Sequence, residues 1–493
     1  MTSNNQPGNS RKILGPFNRV EGDLEVQVEI TEGRVSNAWV VSPLYRGFEQ
    51  MLRGRHPLDA LVYVPRICGI CSVAQSVAAA RALASLTGQP IPDNGRLATN
   101  LILACENIAD HLTHFYLFFM PDFARETYRQ QAFFSDTVNR FKAVSGTAAN
   151  DVLPARAAFL NIMGLLAGKW PHSLAIQPGG TTRALPLREK NQLRTLLFSF
   201  REFLQQCLFG DTLETIASLQ SSQALHHWRS QLPVHHSDLT RFLAIADTLN
   251  LQTLGRGYDH FLSYGVYDQR DGMLFDAGTR TTADTPRPFT PDDIFEDTSH
   301  SWMNTGGATA LHPFQGETQP AMDNSEGYSW CKSPRLNHQP MEVGALARQY
   351  VSGHPLIEDL VNISGGNVQN RIIARLLEIA RVVIAMENWA QQLQPGEPFC
   401  TRWDMPNQAR GAGMMEAARG SLGHWVSIER GKIMNYQIIA PTTWNFSPRD
   451  SNDIPGPLEK ALLGTEVDEQ EKDSVAIQHI VRSFDPCMVC TVH

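Results

Sequence analysis

Leu24, Val26, Val28 and Ile30 alternate with Asp23, Glu25, Gln27 and Glu29, a period of two that predicts a half-buried strand. Thr31-Glu32-Gly33 reads as a turn and residues 35–41 as the returning strand. An antiparallel sheet is therefore expected near the N-terminus, with Arg19-Val20-Glu21-Gly22 at its entrance. Beyond Pro43 the period lengthens. The small-residue run 72–86 predicts a helix that starts beside Cys71 and stops before Thr87-Gly88-Gln89-Pro90. Apolar residues spaced i, i+3 and i+4 predict long packed helices over 97–119 and 193–207, the second through Leu193, Leu196, Phe200, Phe203 and Cys207. Residues 264–340 are rich in Gly, Pro and Asp without periodicity and read as a loop-rich excursion. A helix resumes over 370–392, and residues 424–429 and 432–440 read as a hairpin around Arg430-Gly431. Ser474 is expected to cap a last helix ending at Phe484. The fold class is α+β, predominantly α, with a long-helix core and peripheral antiparallel sheets. Residues 1–10 read as a disordered tail and 11–493 as one large catalytic domain.

Composition narrows the function. The 493 residues are 42% apolar and 19% charged, and 42 Lys+Arg against 50 Asp+Glu give a formal charge of −8. That balance, without long basic runs, argues against nucleic acid, whose phosphates need cationic partners. The start of the chain has no apolar stretch behind basic residues, so no secretory signal is read and the cytoplasm is the expected location. The most apolar runs fall short of the roughly 20 residues that span a bilayer. Eight cysteines are too sparse for a disulfide scaffold.

Their placement carries the chemistry. Cys68-Gly69-Ile70-Cys71 and Cys487-Met488-Val489-Cys490 are two C-x-x-C pairs, and each can turn two thiolates toward one soft or borderline metal. The ordinary use of such pairs is a four-cysteine zinc site. Zinc ribbons keep their pairs close together, whereas Cys71 and Cys487 are 416 positions apart. A redox dithiol would need a thioredoxin-like context for each pair.

The surrounding residues supply a resemblance. Arg66-Ile67-Cys68-Gly69-Ile70-Cys71 and Asp485-Pro486-Cys487-Met488-Val489-Cys490-Thr491-Val492-His493 resemble the paired signatures of the nickel-iron hydrogenase large subunit. The likeness runs through Arg19-Val20-Glu21-Gly22, Arg46-Gly47-Phe48-Glu49, Asp110-His111, Ala418-Arg419-Gly420, His424-Trp425 and Pro441-Thr442-Thr443-Trp444-Asn445 in the family's order. A related respiratory quinone-reductase subunit shares the fold but lacks the four cysteines.

The resemblance implies a site. Four thiolates would hold nickel, with Cys71 and Cys490 bridging to an iron that carries carbon monoxide and cyanide, and Cys68 and Cys487 terminal on nickel. Heterolytic cleavage of H2 there leaves a proton that needs a base. Cys487 or Arg419 is the implied base, although a guanidinium ordinarily donates, which gives Arg419 the alternative part of binding a cyanide. Glu21 is the implied proton-exit carboxylate. Asp110 and Asp485 are implied to hold Arg419, and Thr442 in the Pro441-Thr442 turn to donate its hydroxyl to cyanide. Glu49 and His493 are implied magnesium ligands. Ordinary readings stand beside these: a salt-bridged Glu21, helix-cap aspartates, a plain turn at Thr442, a frayed terminus at His493.

Two departures from the family pattern bear on function. Most members have a histidine four residues after the second N-terminal cysteine, where this chain has Gln75, which cannot ionise. Many catalytic members have proline where this chain has Ala418. Gln75 and a chain that stops at His493 are similar to the H2-sensing regulatory members, so the expected role is H2 oxidation in a cytoplasmic sensor signalling to a histidine kinase. A respiratory uptake hydrogenase is the alternative, and a zinc-stabilised scaffold the alternative of another class. Cys105, Cys207, Cys331 and Cys400 lack paired spacing, so a small subunit carrying iron–sulfur clusters is expected to take the electrons.

Overall fold

The computed structural model describes residues 9–282, 284–304, 310–468 and 474–491. The N-terminal sheet is present. Strand Glu25–Thr31 buries every second side chain and pairs antiparallel with Arg34–Val41, Glu25 opposite Val41. Glu32 and Gly33 turn the chain with φ of 52° and 71°, the left-handed pair that suits a tight hairpin. Asn9–Leu14 adds a third strand on Glu25–Thr31, so residues 9 and 10 of the expected disordered tail are ordered by backbone pairing. Residues 1–8 of that tail lie outside the described residues.

Helices form the core. Asp93–Thr113 is followed by a wider turn over His114–Phe119, and together they cover the stretch expected from 97 to 119. Val368–Gln392 runs 25 residues and packs on Asp93–Thr113. Leu187–Phe203 continues into a second wide turn, Leu204–Phe209. Among the described residues, no helix is long and apolar enough to cross a membrane.

Two elements converge on the cysteines. Helix Ser72–Ala84 has Cys71 as its N-cap and buries almost every residue. The sheet Ala409–Ala417, Gly420–Glu429 and Lys432–Ile439 lies against it. Small residues permit that approach: a Cβ on Gly413 would stand 2.1 Å from the Ala78 carbonyl oxygen. The expected 424–440 hairpin is the second half of this sheet, turning at Arg430-Gly431 with φ of 52° and 70°.

Two expectations need correction. Residues 264–281 are not irregular, because His260–Gln269 and Gly272–Thr281 form a regular hairpin. The first strand is buried on both faces and so shows no alternation. Ser474 does stand at the start of helix Val475–Ser483, but among the described residues its buried hydroxyl has no hydrogen-bond partner and makes no cap. A further short helix, Met488–Thr491, then carries Cys490.

Candidate metal centre

Each cysteine pair sits where a short helix begins. Cys68 follows the turn Val64–Arg66 and Cys71 opens Ser72–Ala84, so one reversal aims both sulfurs inward. Glu106 supports that helix start from outside, accepting from the Val73 and Ala74 amides at 2.9 Å each and from Trp170 Nε1 at 2.9 Å. Cys487 and Cys490 straddle the start of Met488–Thr491. Glu21 fixes this second pair through its backbone: Met488 N donates to its carbonyl at 2.7 Å, and its own N–H donates to Pro486 O at 3.3 Å.

The four sulfurs lie within 4.8 Å of one another and all four residues are buried. Cys68 and Cys487 are 3.5 Å apart, Cys71 and Cys490 3.1 Å, Cys487 and Cys490 3.0 Å. These distances exclude disulfides. They are also shorter than the edge of about 3.8 Å that a regular tetrahedral zinc site with 2.3 Å bonds would have. A donor set of four crowded, dry thiolates fits a soft or borderline cation. Without one, hydrogen bonds from the neighbouring thiols push the Cys68 thiol well below its ordinary value, and hydrogen bonding to Cys487 and Cys490 holds Cys71 well above it.

Above the sulfurs stands Arg419, at the tight turn between Ala409–Ala417 and Gly420–Glu429. Its guanidinium donates to both Asp110 oxygens, to Asp485 Oδ1 at 3.1 Å and to the Asp485 carbonyl at 2.9 Å. Burial opposes its charge, but Asp110 and Asp485 outweigh burial and raise the guanidinium well above its ordinary value. Burial pushes Asp110 up to about 7. Arg348 holds the turn itself, donating to the Ala417 and Ala418 carbonyls at 3.1 and 2.9 Å while paired with Glu378 and Glu416.

A small cavity opens between Arg419 and the sulfurs. Gln75, Leu422, Pro441 and Thr442 complete its wall together with Cys71, Cys487 and Cys490. Thr442 Oγ1 accepts from the Cys487 amide at 3.1 Å. Gln75 Oε1 faces His424 Nε2 at 2.8 Å. The Glu21 side chain is half-buried, and burial, then the charge on Cys68, raises its carboxyl.

Glu49 lies in a second cluster. Its Oε1 accepts from the Ile438 amide at 2.7 Å, and Thr318 donates to Oε2. Lys332 Nζ is 3.8 Å from Glu49, 2.8 Å from Glu296 and 2.9 Å from Gln437 Oε1. His493, the other expected magnesium ligand, lies outside the described residues. Of the residues singled out in the sequence, the structure brings together the four cysteines, Arg419, Asp110 and Asp485. Sequence reasoning missed Glu106, Arg348, Glu378 and Lys332, of which only Glu106, four residues before Asp110 on one helix face, left a local signal.

The family model for the nickel-dependent hydrogenases matches residues 46–151 and 150–493. The periplasmic [NiFeSe] hydrogenase large subunit of Desulfomicrobium baculatum is 30% identical, over 99% of this chain and 95% of its own. The Hydrogenase-2 large chain of Escherichia coli K12 is 29% identical, over 98% and 97%. The Ni-Fe-Se hydrogenase structure from D. vulgaris Hildenborough superposes with a TM-score of 0.84 at 28% identity, covering 99% of this chain and all of that one. Four cysteine sulfurs are gathered at one buried site, and the chain belongs to the nickel-dependent hydrogenase family and is the large subunit of an H2-oxidising oxidoreductase.

Proposed function

We propose that this chain activates H2 at a nickel-iron centre held by Cys68, Cys71, Cys487 and Cys490, within an H2-sensing complex. The observation that carries the reading is four buried sulfurs within 4.8 Å beneath a guanidinium clamped by two acids. Cys71 and Cys490 would also reach the iron, with its carbon monoxide and cyanide ligands. When bound, such a centre supplies Lewis-acid polarisation of H2 and accepts its electrons.

The protein's own groups do the rest. Arg419 stays cationic between Asp110 and Asp485, so it donates hydrogen bonds into the cavity rather than taking up the proton. That leaves Cys487 Sγ to receive the proton. Glu21 takes it on, since its backbone is paired on both sides of Cys487 and its raised carboxyl accepts a proton more readily than an exposed glutamate. Thr442 accepts from the Cys487 amide, which leaves its hydroxyl hydrogen available as a donor to cyanide, beside Pro441 in the cavity wall.

Magnesium is the further metal of this reading, at Glu49 and His493. Oxygens of Glu49, Glu296 and Gln437, the ligand type that Mg²⁺ prefers, are buried in one cluster around the Lys332 ammonium. The partner is a small subunit with iron–sulfur clusters, because the remaining cysteines form no second metal-holding group among the described residues.

Gln75 favours the sensor. A neutral amide in the cavity wall cannot exchange protons with the cluster, which suits slow turnover and signalling through a histidine kinase in the cytoplasm. The Desulfomicrobium relative is named a periplasmic hydrogenase, which supports the alternative, a respiratory uptake enzyme. An infrared spectrum of the purified complex under argon and then H2, with metal analysis, tests the centre. Carbonyl and cyanide bands that shift with H2 are expected. Zinc without nickel, and no bands, would overturn the reading. Turnover with an artificial acceptor and cell fractionation then separate sensor from uptake enzyme.

A further inference from the structure

Gln75, His424 and Tyr436 form a buried polar line from the cavity wall into the sheet behind it. Gln75 is 1% exposed, and His424 and Tyr436 are fully buried. Gln75 Oε1 is 2.8 Å from His424 Nε2, and His424 Nδ1 is 2.8 Å from the Tyr436 hydroxyl. Two proton arrangements fit these distances. In one, Tyr436 O–H donates to Nδ1 and Nε2–H donates to Gln75 Oε1. In the other, Nδ1–H donates to Tyr436 and the amide is turned over, so that its –NH2 meets Nε2.

Satisfaction of the tyrosine decides between them. Among the described residues, the only hydrogen bond of the Tyr436 hydroxyl is to the His424 ring. The second arrangement strands its buried proton, which costs the full desolvation of an unpaired donor. The first leaves none stranded on the tyrosine or the histidine. His424 then carries its proton on Nε2, and Gln75 must point its oxygen at it. Both amide hydrogens of Gln75 are left over, bonded to no described residue and next to a cavity walled by Cys71 and Cys490. A buried amide in that position requires an acceptor.

We propose that Tyr436 and His424 are positioning residues that lock Gln75 with its –NH2 facing the cavity, so that it donates to the Cys71 and Cys490 thiolates once the centre is loaded. The inference rests on the nickel-iron reading above. An N–H donor draws electron density from a thiolate, so the lock lowers the electron density that the sulfurs pass to the metals.

The carbonyl and cyanide stretching bands read this directly. In Tyr436→Phe the histidine loses its fixed tautomer, Gln75 is free to turn over, and the carbonyl band is expected at lower wavenumber. In Gln75→Met the band shifts the same way, and adding Tyr436→Phe to it produces no further shift. Unchanged bands in Tyr436→Phe, or an equal shift in the Gln75→Met background, would overturn the proposal. Should either variant fail to take up metal, 3-fluorotyrosine at position 436 strengthens the same donor with Gln75 intact. It must then move the band to higher wavenumber, and an unmoved band overturns the lock. Absence of the bands from the nickel- and iron-loaded parent protein would instead remove the nickel-iron reading itself.

Discussion

Arg419 is held through four of its five N–H groups, one Nη1 hydrogen remaining, and the partners are far away in sequence. Asp110 is 309 positions distant and Asp485 66. Removing one partner of a buried ion pair leaves the other charge uncompensated, so Asp110→Ala is expected to cost on the order of 3–5 kcal/mol. A fall in the thermal midpoint checks this, and an unchanged midpoint would mean that Asp485 alone suffices. A pH dependence follows from buried imidazoles. Burial pushes His479 down to about 4, beside Phe123, Tyr128 and Asp122, and pushes His114 down to about 3. A histidine whose folded value lies below its unfolded 6.5 takes up protons preferentially when unfolded. Its stability contribution is therefore complete above pH 6.5 and is lost as pH falls toward 4, by about 1.4 kcal/mol per pH unit for each histidine. Denaturation midpoints at pH 7 and pH 5 are expected to differ less in His479→Gln than in the parent, and equal differences would refute the assignment. At this scale the C-x-x-C pairs were readable because three residues bring two sulfurs together. The aspartates of Arg419 were readable only through resemblance, since nothing local links positions 110, 419 and 485. Lys332 was hidden in a stretch with no period to interpret.

Helix Ser72–Ala84 shows how an element carries a site. Its N-terminus places Cys71, and its body is pressed against Ala409–Ala417, the strand that leads into Arg419. Gly413 sets the spacing between them. With a Cβ 2.1 Å from Ala78 O and 2.2 Å from Ala82 N, the contact is with backbone and cannot be relieved by a rotamer change. Gly413→Ala is expected to destabilise by about 1–3 kcal/mol as an overpacked core. Because helix and strand both contribute to the wall of one cavity, it should also lower nickel occupancy per chain, measured by metal analysis of folded protein. Full occupancy with a lowered melting temperature would show that the spacing matters to the fold alone. Elements with one buried face were legible in the sequence, as in Glu25–Thr31 with its alternating burial. His260–Gln269 was not, because a strand covered on both sides has no polar face to mark its period.

At the scale of the whole molecule, the metal centre is a junction of the chain's two ends. Cys68 meets Cys487, and Cys71 meets Cys490, each across 419 positions. Polar contacts close the same junction around them: Arg482 donates to Asn18 at 2.8 Å and to Asp122, Ser42 and Thr491 share a hydrogen bond of 2.7 Å, and Met488 N donates to Glu21 O. The unfolded chain contains no such four-thiolate site, so metal binding free energy adds to folding free energy. The apo junction must also keep crowded thiols in a dry site, a strain that a cation relieves by accepting them as thiolates. Protein made without nickel is therefore expected to melt at a lower temperature than the loaded form, and the loss should be local. Hydrogen exchange at the Met488 and Glu21 amides, which join the two ends, should quicken in the nickel-free chain. The Val28 amide, inside the three-stranded N-terminal sheet, should be unchanged and serves as the control. Equal protection of Met488 and Glu21 in both forms would mean that backbone pairing alone holds the junction and that the metal is received into a site already rigid.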